Sequence, residues 1–170
     1  MPTSSVYDQI PVLRSSGTGS TALAAFHNAL VGVDLGQYNL VRLSSAIPPH
    51  TIVDGSGKAD APSGEWGDRL SCVYAEQRTT VLGEQAWAGM GWVQRLDGRG
   101  GLFVEHEGTC EELVTNAIRD SLHDMVSGME DEFTGPDWVL NGVQCTGDPI
   151  CSLVIAPYEC QPWVGANTSR

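Results

Sequence analysis

The chain has 170 residues, with 21 Asp and Glu against 9 Lys and Arg, and its formal charge of −12 disfavours nucleic acid as a partner. Hydrophobic residues at 41% and charged residues at 18% exclude a disordered or fibrous chain, while 20 Gly and 9 Pro argue against an all-helical bundle. No stretch reaches the ~18 consecutive apolar residues of a membrane span, and Met1-Pro2-Thr3-Ser4-Ser5 lacks the features of a signal peptide, so a cytoplasmic protein is expected. In chain order, residues 1–14 have no clear periodicity, and Ser15 to Ser20 reads as a flexible, hydroxyl-rich loop opening a helix. Leu23, Phe26, Ala29, Leu30 and Val33 form that helix's apolar stripe. The Gly-rich loop lacks the Gly-Lys-Ser/Thr ending of a phosphate cradle.

Tyr38 to Ile47 predicts a strand that Pro48-Pro49 stops, and residues 54–68 an exposed excursion. Three strands follow at 70–76, 84–93 and 102–107, the middle one carrying small residues that permit another layer to pack closely. Thr109-Cys110-Glu111-Glu112 has the form of a capping box, opening a long helix of about 110–131. Strands at 138–145 and 152–158 finish a single α+β domain, without internal repeats, that should build a layered sandwich. Cys72, Cys110, Cys145, Cys151 and Cys160 have no zinc-like spacing and read as reduced, mostly buried thiols. Four separated histidines offer no metal site.

The informative segment is Asn39-Leu40-Val41-Arg42-Leu43-Ser44-Ser45-Ala46-Ile47-Pro48-Pro49, where a serine pair closes a strand before a stiff diproline. A Ser-Ser step before Pro-Pro is usually just a turn. Held under strain, it can also rearrange: the Ser45 hydroxyl attacks the Ser44 carbonyl, and elimination then leaves Ser44 as a new C-terminus and a pyruvoyl ketone at 45.

The chain resembles the pyruvoyl-dependent arginine decarboxylase family over most of its length. The likeness runs through Gly17-Thr18-Gly19-Ser20 to Ala29-Leu30, the Asn39-to-Pro49 segment, the Leu82-Gly83-Glu84 turn and Val104-Glu105-His106-Glu107-Gly108. It implies a layered αββα sandwich with mainly antiparallel sheets and cleavage into subunits 1–44 and 45–170. It also implies a homotrimer or dimer of trimers with sites between neighbours. The cofactor would be a pyruvoyl group derived from Ser45, with no pyridoxal phosphate and no metal. Decarboxylation of an amino acid through a Schiff base, arginine to agmatine and carbon dioxide, is the activity implied.

By position, the catalytic residues would be Ser44, Ser45, Asn39 and Glu105. The Asn39 amide is expected to reach the Ser44 carbonyl or the ester oxyanion, and Glu105 to return a proton to the substrate carbon. On a strand Glu105 shares a face with Phe103 and Glu107, whereas Leu102, Val104 and His106 take the other. His27 stands where the family carries an aspartate that pairs with the guanidinium, so either another acid such as Glu107 or Asp34 takes that role or the substrate is a different amino acid. The one lysine, Lys58, lies in the excursion, in keeping with chemistry that needs no pyridoxal phosphate. An unprocessed homologue serving in binding or assembly is the reading of a different class.

Overall fold

The computed structural model describes residues 8–163; Met1 to Ser5, read for a leader sequence, lie outside them. In chain order come strands β1 (Asp8–Pro11) and β2 (Leu13–Thr18), helix α1 (Ala22–Val31), and strands β3 (Asn39–Arg42), β4 (Ala46–Ile47), β5 (Thr51–Asp54), β6 (Arg69–Thr79), β7 (Gln85–Gln94) and β8 (Gly101–Gly108). Helix α2 (Glu111–Met125), a 3-10 turn (Glu130–Glu132), β9 (Asp137–Gln144) and β10 (Ile150–Gln161) complete the α+β chain.

One four-stranded sheet has the order β2-β10-β6-β3 and the other β4-β8-β7-β9, while β1 and β5 pair separately. The second sheet is antiparallel throughout. The first is antiparallel except for β3 beside β6, and β1 and β5 also run parallel.

Side-chain alternation along the strands decides what each face buries. On β10, Cys151, Leu153 and Ile155 pack with Ala25, Ala29 and Leu30 of α1. Val154 and Ala156 turn the other way, joining Val73 and Ala75 against Met90, Trp92 and Phe103 of the second sheet. The far side of that sheet carries Val93 and Val104, which α2 covers with Val114, Ile118 and Leu122. Apolar groups on both faces explain why β10 is buried without interruption from Ile150 to Pro157. The small residues of β7 do admit another layer: a Cβ on Gly91 would lie 2.3 Å from Ile118 Cγ2 of α2.

Several local expectations change. The segment expected to be a loop after Ser15 is β2 as far as Thr18, in register with β10 from Thr18 opposite Ile150 to Leu13 opposite Ile155. Tertiary pairing overrides its weak strand propensity. Thr21 caps α1 by accepting a bond from Ala24 N at 3.1 Å. The capping box at Thr109 does not form: Cys110 occupies the N-cap position with no side-chain bond, and Glu111 and Glu112 supply negative charge to the first turn instead. The long helix ends at Met125, short of 131. The excursion is exposed or half-buried as far as Gly67, as expected, but tied down where Tyr38 Oη donates to Pro62 O at 2.7 Å and Ala61 joins the α1 cluster. All five cysteines are unpaired and three are buried, burial pushing the Cys72 and Cys151 thiols up to about 12. Among the described residues no helix is long and apolar enough to cross a membrane.

Helix α1 lies so near β2 that a Cβ on Gly17 would sit 2.1 Å from Ala25 O and 2.3 Å from Ala29 N. Both obstacles are backbone atoms, which cannot step aside as a side chain can. Gly17→Ala should therefore destabilise the fold by about 1–3 kcal/mol in urea titration. An unchanged midpoint would mean that the helix is not seated on this strand.

Candidate active site

The strand expected over residues 38–47 divides into β3 and β4, and the division creates the site. β3 is the edge of the first sheet and β4 the edge of the second. Leu43 N still donates to Cys72 O at 2.9 Å, while Ala46 already pairs with Leu102. Ser44 and Ser45 therefore carry the chain from one sheet to the other. Ser45 crosses at φ = 76°, a conformation that a residue with a Cβ adopts at a cost of about 1–2 kcal/mol.

Two groups of β8 hold Ser45. The N–H of Phe103 donates to the Ser45 carbonyl at 2.8 Å, and the Ser45 hydroxyl donates to Glu105 Oε1 at 2.5 Å. The second contact is at the short end for a hydroxyl bound to a carboxylate, where charge assistance strengthens the bond. Residues 103 and 105 share a strand face, as the alternation predicts. His106 lies on the opposite face, its Nε2 2.7 Å from Ser121 Oγ of α2. Phe103 is fully buried between the sheets, so the backbone bearing Glu105 is anchored in the core.

From β10, Tyr158 Oη donates to Ala46 O at 3.0 Å, and its ring centroid lies 6.1 Å from that of Phe103. Burial, reinforced by the nearby charge of Glu105, holds the Tyr158 phenol above its usual pKa, so it remains an O–H donor. A cleft of about 620 Å³ opens beside the crossing, with Leu43, Pro48, Thr51, Ser71, Tyr158 and Glu159 in its walls. A hydroxyl bonded to a carboxylate, one residue from a peptide carbonyl, is a nucleophile and base pair. The target carbonyl belongs to Ser44, which is exposed.

The other sequence candidates lie elsewhere within one chain. Asn39 begins β3, at the end away from Ser44, and its Nδ2 donates to Gly67 O at 2.8 Å rather than to the Ser44 carbonyl. It lines a separate cleft with Trp66, Asp68 and Trp163. His27 is exposed on α1, facing Gly36. Glu107 is exposed near the end of β8, and Asp34 lines a cleft with Asp60. Among the described residues no group of three or more His, Cys, Asp or Glu side chains is arranged to hold a metal ion.

Sequence reasoning missed Tyr158 and the Phe103 N–H. The tyrosine left one signal, its even register with Val154 and Ala156 in an apolar strand, which aims it between the sheets. The main-chain donor left none, because it depends on how β8 approaches the crossing.

A family model described as pyruvoyl-dependent arginine decarboxylase matches residues 9–146. A pyruvoyl-dependent arginine decarboxylase of Halobacterium salinarum is 40% identical over 161 residues, covering 88% of this chain and 93% of the relative. One from Pyrococcus horikoshii is 33% identical over 121 residues, covering 71% of this chain and 70% of its own. A solved pyruvoyl-dependent histidine decarboxylase overlaps with a TM-score of 0.41 at 15% identity, over 60% of this chain and 53% of that one. With the family model spanning most of the chain and relatives aligned along it, the chain belongs to the pyruvoyl-dependent arginine decarboxylase family.

Proposed function

We propose that the chain cleaves itself between Ser44 and Ser45 and then decarboxylates arginine to agmatine. The observation that carries this reading is the 2.5 Å bond from the Ser45 hydroxyl to Glu105, made by a serine at positive φ in the crossing between two sheets.

In the cleavage, Glu105 takes the hydroxyl proton as Ser45 Oγ adds to the Ser44 carbonyl carbon. The C–N bond breaks, its nitrogen gains a proton, and an ester replaces the amide. Loss of the Ser45 α-proton then expels the ester oxygen, so that Ser44 ends as a carboxylate holding the former Ser45 Oγ. The dehydro residue left at 45 takes up water and releases ammonia. Relief of the positive φ favours the first step.

The residues present fit a pyruvoyl group at position 45, because the residue-45 carbonyl has its own N–H donor and a carboxyl stands beside the side chain. When formed, such a group supplies a ketone that condenses with the substrate amine and a carbonyl that draws electrons as carbon dioxide leaves. The Phe103 N–H would polarise that carbonyl. Glu105, no longer bonded to the departed hydroxyl, is free to deliver a proton to the substrate carbon. The adjoining cleft, with Glu159 in its wall, suits a small cationic substrate.

Asn39 and His27 stand apart from Ser45 within one chain, so a site that uses them needs a neighbouring copy. Trp66 and Trp163, 82% and 59% exposed beside Asn39, offer apolar area for such a contact. These features support association between copies, which we take to be a trimer, or a dimer of trimers, of αββα-layered protomers in the cytoplasm.

Carbon dioxide release from arginine should be abolished by phenylhydrazine, which blocks ketones, and full activity in its presence would contradict the reading. Glu105→Gln, once its cleavage state has been measured, should lower turnover per cleaved chain by ~10²-fold or more, and near-normal turnover would remove Glu105 from the chemistry. Across a panel of amino acids, His27→Asp should raise the preference for arginine by restoring a charge-assisted pair worth ~1.5–3 kcal/mol. A lowered preference would show that histidine itself serves the guanidinium.

A further inference from the structure

Tyr158 takes no part in the bond changes above, yet it touches the segment that undergoes them. β10 reaches the site through a register shift: Pro157 pairs with Cys72 and Glu159 with Ser71, leaving Tyr158 opposite no residue of β6. Such a bulge re-aims side chains. Tyr158 stays on the side of Val154 and Ala156, whereas Cys160, two residues on, packs with the Tyr38 side of the sheet. The ring rests near Phe103, and the hydroxyl meets Ala46 O, the first carbonyl after Ser45.

We infer that Tyr158 is a positioning residue for self-cleavage, its O–H fixing the Ala46 carbonyl so that Ser45 keeps both its bond to Glu105 and its aim at Ser44. This rests on the self-cleavage reading above. Without the hydroxyl, the peptide plane between Ala46 and Ile47 loses its only side-chain anchor among the described residues, and the segment before it can turn. Phe103 N–H, Glu105 and the pairing of β4 with β8 then hold the crossing without it against a backbone that prefers negative φ. Tyr158 exchanges no proton with the reacting atoms. The charged group facing it from the opposing sheet is Glu105 on β8, and on its own strand Glu159 lines the same cleft.

The test follows self-cleavage by intact mass after cell-free synthesis of the full chain, across a pH series. Tyr158→Phe keeps the ring and should cleave about tenfold more slowly, the effect of one lost hydrogen bond, with Tm close to wild type. A trifluorotyrosine placed at 158 keeps ring and hydroxyl but ionises at lower pH. It should cleave at the wild-type rate in acid and lose rate as pH rises through its own titration, a decline the wild type does not show there. Wild-type rates for Tyr158→Phe would overturn the inference, because the ring alone would then suffice, and so would a slow Phe variant whose trifluorotyrosine counterpart shows no such decline, because the donated proton would then not be what holds the Ala46 carbonyl. Ser45→Ala is the control for the underlying reading. An uncleaved wild type, or cleavage of Ser45→Ala, brings down self-cleavage itself, whereas a cleaving wild type matched by Tyr158→Phe brings down only the role of Tyr158.

Discussion

The segment Leu43 to Ala46 must leave the edge of one sheet and join the edge of another. Packed sheets stand about 10 Å apart, and three peptide steps extend to roughly 10–11 Å, so Ser44 and Ser45 cross with little slack. Hydrogen bonds fix both ends, Leu43 N to Cys72 O at 2.9 Å and Phe103 N to Ser45 O at 2.8 Å. A crossing this short forces one residue out of the usual backbone regions, and Ser45 absorbs the turn at φ = 76°. In the proposed reaction, placing the serine pair there, and not in a relaxed loop, is what would make an ordinary peptide bond reactive.

That strain persists because its surroundings are rigid. Its cost of about 1–2 kcal/mol is matched by bonds to Phe103, Glu105 and Tyr158, each worth about 0.5–1.5 kcal/mol and the one to a charged carboxylate more. The partners are fixed in turn by burial on both faces of each sheet, with Phe103, Met90 and Val154 between the sheets and α1 and α2 outside. On the proposed function, Glu105 would serve two reactions from one position. The proposed cleavage would transfer the Ser45 oxygen to Ser44, and that loss would leave the carboxyl open to the substrate.

The chemistry was more legible in the sequence than the geometry. Periodicity located both helices, although α2 stops before 131 because nothing apolar covers the turn after Val126 as well as the sheet covers Val114, Ile118 and Leu122. Alternation on β8 separated Glu105 from His106, because both faces of that strand are buried and the register allows only one arrangement. Ser15 to Thr18 misled because its small polar residues make a strand only when β10 supplies the ladder and α1 needs the space. The break between Arg42 and Ala46 was hidden for a related reason, since an edge-to-edge crossing leaves no composition signal. Tyr158 left in the sequence only its even register with Val154 and Ala156, and Asn39 and His27, read by resemblance as members of one site, are local features of separate surfaces within a single chain.

Both proposed reactions depend on the bond between Ser44 and Ser45, and intact-mass spectrometry of the purified wild-type chain reads it directly. The predicted result is two fragments, residues 1–44 ending in a normal serine carboxylate and residues 45–170 beginning with a ketone that has no free amine. A single chain of full-length mass after long incubation, with a serine still at 45, would contradict it.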